Sequence, residues 1–340
     1  MKMELVILAK FLMKKEMEKG YIIIKMAIFI WVSGKMTYLM VKDVIYFNKF
    51  IGNWQNNKKN GRGIYKYAFK NEQFIGEWIN GNKQKKGTLI KSNGDKYIGE
   101  FKHREFQGQG IMYYQNGDLY DGEWSQNQPN GKGNMVKKFT NEQYNGQFKN
   151  GKKWGYGVLL YGDKSKYEGY WENDQRSGQG QLTYASGEKY KGQFKNDRRN
   201  GEGIYYYCNN EIYEGNWKDN YRSGYGELKM SSGDNYKGEW LNGQKNGKGC
   251  YQFASGQKYE GQFLNGKREG YGFYDWGNGV SYQGEWKEDK MHGIGIIHKL
   301  DETEMEGVFS YDEFIQRIDE TDSENSSFSS KLNLSNQTQN

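Results

Sequence analysis

From Phe50 onward, apolar residues and glycines recur in a fixed order. An aromatic is followed two residues later by glycine and two further by Trp or Phe, then by a polar stretch, a Gly-x-Gly and a short aliphatic-aromatic run. Residues 167–187 read YEGYWENDQRSGQGQLTYASG, and the pattern restarts at Tyr190 as YKGQFKNDRRNGEGIYYYC. The leading aromatic falls at Phe50, Phe74, Tyr97, Tyr120, Tyr144, Tyr167, Tyr190, Tyr213, Tyr236, Tyr259 and Tyr282, in steps of 23 residues that lengthen to 24 only after Phe50 and Tyr120. Its companion ring follows at Trp54, Trp78, Phe101, Trp124, Phe148, Trp171, Phe194, Trp217, Trp240, Phe263 and Trp286.

Spacing by two predicts a strand with one marked face. The residues between, such as Asp121, Glu123, Lys191, Gln193, Lys237 and Glu239, are polar and belong on a wetter opposite face. About six polar residues then read as a turn. The Gly-x-Gly opens a second strand that ends in an aromatic such as Tyr184, Tyr207, Phe253 or Trp276, and a short turn at Gly187, Asn210, Gly233 or Gly256 starts the next copy. Each copy is therefore predicted to be a β-hairpin. The fold class that follows is all-β: an elongated, twisted, single antiparallel sheet of consecutive hairpins. At ~4.8 Å per strand, eleven hairpins would extend on the order of 100 Å, with a right-handed twist. Glycine weakens a strand, so its regular use implies that a ring from a neighbouring strand lies flat over each missing side chain. A lone hairpin is marginal in water, and stability must come from stacking the copies.

The pattern also marks its own limits. Lys85 stands where the second copy should have its first glycine. A twelfth copy, Met305-Glu306-Gly307-Val308-Phe309, keeps the spacing but lacks the Gly-x-Gly, so the array is bounded at 50–309. Residues 1–20, MKMELVILAKFLMKKEMEKG, predict a short helical or irregular segment stopped at Gly20. The apolar core of residues 5–9 is too short for a signal peptide, and the apolar run 21–32 carries Lys25 and falls short of the ~20 residues a membrane span needs. Trp31 lies 23 residues before Trp54, so residues 27–49 read as a decayed first copy capping the array. Residues 310–340 form an acidic, Ser/Asn-rich tail that cannot bury enough apolar surface to offset ordering, and disorder is expected there.

Composition sharpens this picture. With 47 glycines in 340 residues, one proline and 16% aromatics, the chain is neither collagen-like nor compositionally disordered. Cys208 and Cys250 sit in different copies and build no disulfide framework, which fits a reducing, cytoplasmic compartment. His103, His292 and His298 have no metal-ligand spacing. No copy supplies G-x-G-x-x-G between strand and helix, nor a G-x-x-x-x-G-K-[ST] loop, and no nucleophile-base-acid grouping is visible. Neither an enzyme activity nor a cofactor is expected.

Net charge is +7. Residues 1–49 hold nine Lys against four acids, and residues 301–340 hold ten acids against two bases, so the array itself is strongly positive. Its candidate binding residues are the cations of the polar stretch: Lys58, Lys59, Lys83, Lys152, Lys153, Arg176, Arg198, Arg199, Arg222, Lys245, Lys267, Arg268 and Lys290. Read as a turn, that stretch would line these residues along one border as a basic row, one step per ~10 Å. The bland alternative is that hairpin tips simply require solvated residues. Nucleic acid is disfavoured, because rings that repeat in every copy are core and not stacking platforms. The expected core comprises Tyr120, Trp124, Tyr144, Tyr167, Trp171, Tyr190, Phe194, Tyr213, Trp217, Tyr236, Trp240, Tyr259, Phe263, Tyr282 and Trp286.

Copies such as YEGYWENDQRSGQGQLTYASG, YKGEWLNGQKNGKGCYQFASG and YQGEWKEDKMHGIG resemble MORN repeats (membrane occupation and recognition nexus) over residues 50–295. The resemblance implies an elongated hairpin array used for scaffolding. Arrays of this family occur in junctophilins, in radial spoke head proteins, in parasite cytoskeletal rings, in plant phosphatidylinositol phosphate kinases and in a histone lysine methyltransferase. Where those proteins are enzymes, a separate domain carries the chemistry. The expected function is a non-enzymatic scaffold for cytoskeletal or ciliary proteins. The alternatives are a peripheral tether binding anionic phosphoinositides and an accessory module of a phosphatidylinositol phosphate kinase system. The expected location is cytoplasmic, on cytoskeleton, cilium or a membrane surface, and a homodimer is left open.

Overall fold

The computed structural model describes strand segments at 6–7, 15–18, 21–24, 26–32 and 35–41, and residues 48–67 and 70–318 in full. The chain divides into two compact units, Met1–Gly155 and Tyr156–Asn340. No helix occurs among the described residues, and all regular structure is β.

The unit Tyr156–Asn340 shows the building plan. Lys166–Glu172 pairs antiparallel with Gln175–Thr183, which pairs with Lys189–Lys195, and so on in sequence order to Glu313–Arg317. In Met1–Gly155 the same ladder runs from Lys49–Gln55 through Glu142–Lys149. The hairpin turns are two residues long and not six. Asn173 and Asp174, with φ of 50° and 69°, form one such turn, and Asn242 and Gly243, at 50° and 85°, form another. Both central residues of this turn type must be left-handed, which Asn, Asp and Gly tolerate.

A bulge accounts for the difference from six. Gly169 faces Gly180, but the next pair is Trp171 with Arg176, so three residues of the second strand oppose one of the first. Gly178 takes up the distortion at φ 64°, and the first glycine of the Gly-x-Gly is left-handed in the other copies that have one. Copy two departs from this. Its ladder to the next copy stops at Lys86–Glu100, whereas in the flanking copies that pairing continues to the companion ring, as Gly61–Trp78 and Gly108–Trp124.

The second glycine makes room. A Cβ on Gly180 would lie 2.3 Å from the Tyr167 hydroxyl, and one on Gly203 2.3 Å from that of Tyr190. The covering ring thus comes from the paired strand, and it also overlies the glycine two residues along its own strand. Nine such tyrosines, from Tyr97 to Tyr282, donate their hydroxyl to the carbonyl three residues on at 2.8–3.0 Å. Within each unit these rings meet companion rings edge-on. Tyr213 lies 5.1 Å from Trp217 and 5.3 Å from Trp240, and Tyr236 lies 5.1 Å from both Trp240 and Phe263. The contacts interlock into an uninterrupted herringbone in each unit. Tyr213 is 0% exposed and Trp217 5%. All fifteen residues expected in the core are buried on this face.

Two terminal expectations need correction. Residues 6–7 and 15–18 are strand and not helix, and Lys15–Glu18 pairs with Tyr21–Ile24, whose β-branched run favours a ladder over a helix. The rest of residues 1–20 lies outside the described residues. Met26–Val32 pairs with Lys35–Val41 residue for residue, without the bulge of the later copies. At the other end, Glu313–Arg317 extends the ladder into what reads as tail. It does so without a Gly-x-Gly because Phe314 itself packs on Phe309 at 5.4 Å. Residues 319–340 lie outside the described residues.

Candidate binding faces of the array

The bulge moves the cations. Because Trp171 pairs with Arg176, the arginine sits on the ring face of the second strand and not at the hairpin tip. The tip is Asn173 and Asp174. Arg199, Arg222, Lys245 and Arg268 occupy the same place, opposite Phe194, Trp217, Trp240 and Phe263.

There the cation covers aromatic rings. The Arg199 guanidinium lies 4.3 Å from the Trp217 ring centre, Arg222 4.1 Å from Trp240 and Arg268 4.3 Å from Trp286. Arg176 stands over Phe194 at 5.3 Å and Lys245 over Tyr251 at 4.6 Å. In the first unit Lys59 stands over Tyr65 at 4.4 Å, Lys83 over Phe74 at 4.2 Å and Lys153 near Tyr144 at 5.7 Å. Burial lowers the pKa of Lys59 and Lys245. Burial, reinforced by Arg104 and Lys59, pushes Lys83 down to about 8.

The arginines also bond forward to the next copy's turn. Arg176 donates from Nη2 to the Asp197 carbonyl at 2.7 Å and from Nε to its Oδ1 at 3.1 Å. Arg199 reaches the Asn220 carbonyl at 2.9 Å, Arg222 that of Gly243 at 2.8 Å and Arg268 that of Asp289 at 2.5 Å. These cations stitch copy to copy.

The remaining candidates, Lys58, Lys152, Arg198, Lys267 and Lys290, stand one residue before the ring-face position, which Met291 fills in the last case, and are exposed. Arg198 pairs with Asp219 at 3.2 Å. The candidates therefore form two sets on opposite sides of one strand, and acids of the turns are interleaved with them. The double variant Arg199→Ala/Arg268→Ala is expected to cost about 2–3 kcal/mol per site in a denaturant melt, from lost stacking and charge-assisted bonds. Arg198→Ala/Lys267→Ala should stay within ~1 kcal/mol, as exposed pairs do. Equal losses in the two variants would contradict this division.

The spacing alone gave the polar residue just before the companion ring only a place on the wetter face. Glu123, Gln193, Glu239, Gln262 and Glu285 fold onto the left-handed glycine of the paired strand, and Glu123 Oε1 accepts the Lys132 amide at 3.0 Å. The signal was the recurrence of Glu or Gln at one position of the repeat. Beside this position lie shallow depressions of 390, 450 and 390 Å³, bordered by Gly247 and Phe263, by Gly178 and Phe194, and by Gly131 and Phe148. Among the described residues no group of His, Cys, Asp and Glu could hold a metal ion, and no helix is long and apolar enough to cross a membrane.

The MORN repeat family model matches eleven segments: 50–68, 74–96, 97–119, 120–137, 144–166, 167–189, 190–212, 213–235, 236–258, 259–281 and 282–299. The chain belongs to the MORN-repeat family. The matched segments begin at the leading aromatics, so the MORN unit coincides with one hairpin and its following turn. No curated protein matches the chain. Among solved structures it is similar to the Drosophila melanogaster SAS-4 TCP domain in complex with a proline-rich motif of Ana2, at 10% identity over 66% of this chain and 90% of that one, with a TM-score of 0.25. A streptogramin B lyase aligns at 11% identity over 74% of this chain and 80% of the other, with a TM-score of 0.13. BamB from Moraxella catarrhalis aligns at 9% identity over 91% and 99%, with a TM-score of 0.11. Overlaps this low carry no argument. MORN arrays are binding modules for proteins or membranes and not catalytic ones.

Proposed function

We propose that this MORN array is a non-enzymatic scaffold that engages cytoskeletal or ciliary proteins by shape along its length. The observation that carries this reading is the use of the ring-face cations within the array. Arg176, Arg199, Arg222 and Arg268 are stacked on rings and bonded to the next turn, so they are not free for phosphate headgroups. A headgroup site needs uncommitted donors, because its affinity is chiefly Coulombic.

The test is co-sedimentation of the full chain with phosphatidylcholine vesicles carrying phosphatidylinositol bisphosphate, alongside imaging of a tagged copy in its own cells. The expected result is that protein stays in the supernatant at low and high salt while the tag decorates a cytoskeletal or axonemal structure. Capture by the vesicles that high salt abolishes, with the tag on membranes, would overturn the scaffold reading in favour of a tether.

A further inference from the structure

The face opposite the rings is not uniform. Cross-strand registers place Ile51 beside Ile64, Ile64 beside Ile75, Ile75 beside Thr88, Thr88 beside Ile98, and Ile98 beside Ile111. Five isoleucines and a threonine thus form one unbroken row across six adjacent strands of the unit Met1–Gly155. The row ends abruptly, because Ile111 pairs with Asp121 and Asp121 with Asn134. In the unit Tyr156–Asn340 the same position is mostly polar, running Glu168, Gln181, Lys191, Ile204, Glu214 and Glu227. Ile51 is 45% exposed and Ile98 38%. Cross-strand pairs of β-branched residues add at most ~1 kcal/mol each to a sheet, and the other unit builds the same hairpins with polar residues there.

The row beside it decides what it fits. Arg62, Glu77, Lys86 and Glu100 stand on successive strands, so the charges alternate in sign along the stripe. Turn such a row end for end, about an axis parallel to the strands between Ile75 and Thr88, and every charge meets its opposite. Arg62 then faces the second copy's Glu100 and Glu77 its Lys86, while Ile51 faces Ile111 and Ile64 faces Ile98. On the far flank Lys49 meets Tyr113, and Lys66 meets Lys96, a like-charged encounter that the two-fold repeats once at either end of the rim. A membrane surface fits less well, because Glu77 and Glu100 would be held against anionic lipid.

We infer that the isoleucine row and its alternating charges form a two-fold, face-to-face contact between two copies of this chain. Six strands at ~4.8 Å and three same-face rows at ~7 Å give about 600 Å² per copy, so about 1,200 Å² in all, at the low end for specific interfaces. The contact is accordingly weak and reversible.

Sedimentation of the full chain from ~1 to ~200 µM, a span suited to micromolar affinity, should show the mass rising from monomer towards dimer. Ile98→Asp should remain monomeric throughout. Glu77→Lys should weaken dimerisation roughly 5- to 10-fold, and adding Lys86→Glu should restore it, because each swapped charge again meets its opposite across the axis. Circular dichroism melts on all variants separate interface loss from unfolding. A wild-type chain that stays monomeric over the whole range, or a double variant as weak as Glu77→Lys, overturns the inference. So does a monomeric wild type whose capture by anionic vesicles Ile98→Asp abolishes, since the row would then face a membrane.

Discussion

Raising the pH from about 9 to about 11 should unfold the array, with tyrosine ionisation and loss of sheet structure in a single transition. Burial pushes the hydroxyls of Tyr97, Tyr120, Tyr190, Tyr205, Tyr213, Tyr236, Tyr259 and Tyr282 far above the ordinary tyrosine range. The folded pKa is raised above the unfolded value near 10, so the stabilisation is fully present below about pH 10 and is lost as pH rises towards the folded values. Each such group forfeits ~1.4 kcal/mol per pH unit, and eight together lose on the order of 10 kcal/mol by about pH 11, comparable with the whole stability of a typical domain. Lys83 acts in the opposite sense. Its folded pKa of about 8 lies below the unfolded value near 10.5, so its burden eases as pH rises between the two. One lysine against eight tyrosines does not change the outcome. Tyrosinate absorbance and far-ultraviolet circular dichroism followed against pH check it. Gradual ionisation with the sheet intact would mean that the rings are wet.

The second large effect is expected at Trp217. It is 5% exposed and stands edge-on to Tyr190 at 5.5 Å and to Tyr213 at 5.1 Å. Its Nε1 donates to the Gly203 carbonyl at 3.2 Å, and its face carries the Arg199 guanidinium. Trp217→Ala therefore opens a cavity between two copies and strips Arg199 of its platform. A loss of about 3–5 kcal/mol in a denaturant melt is expected, as for other large aromatic truncations. The ring joins neighbouring copies, so the loss should spread to both and not stay within one hairpin. A change under ~1 kcal/mol would show that the herringbone is not the core.

Much of this was legible in the chain. The 23-residue period, the alternation of aromatic, glycine and Trp or Phe, and the seating of rings over glycine all follow from spacing and side-chain volume. The length of the hairpin turn does not. Without a bulge, Trp171 would pair with Gly178 and leave residues 172–177 as a six-residue loop. The bulge absorbs the surplus, Glu172 pairs with Gln175, and only Asn173 and Asp174 remain as the turn. Nothing in a polar run such as Asp174–Ser177 tells loop from strand, because Arg and Ser suit both. The roles of the cations were hidden for the same reason. Arg198 and Arg199 are adjacent and chemically identical, and only the register decides which one covers a ring and which faces water. The isoleucine row was equally invisible, because its members lie 10 to 13 residues apart and become neighbours only through cross-strand pairing.

Lys85 gives the array a fault line. Trp78, Trp124 and Phe148, and the companion rings from Phe194 to Trp286, each pair with a left-handed glycine on the preceding strand. Phe101 faces a residue that does not take that conformation, and the pairing ends one step early. Phe101 is half-buried, whereas its counterparts in the neighbouring copies, Trp78 and Trp124, are 3% exposed. A repeat stack made of equal steps has no built-in place to yield. This one does, so thermal opening or mechanical load on the chain would concentrate between the strands Asn82–Ile90 and Lys96–Lys102.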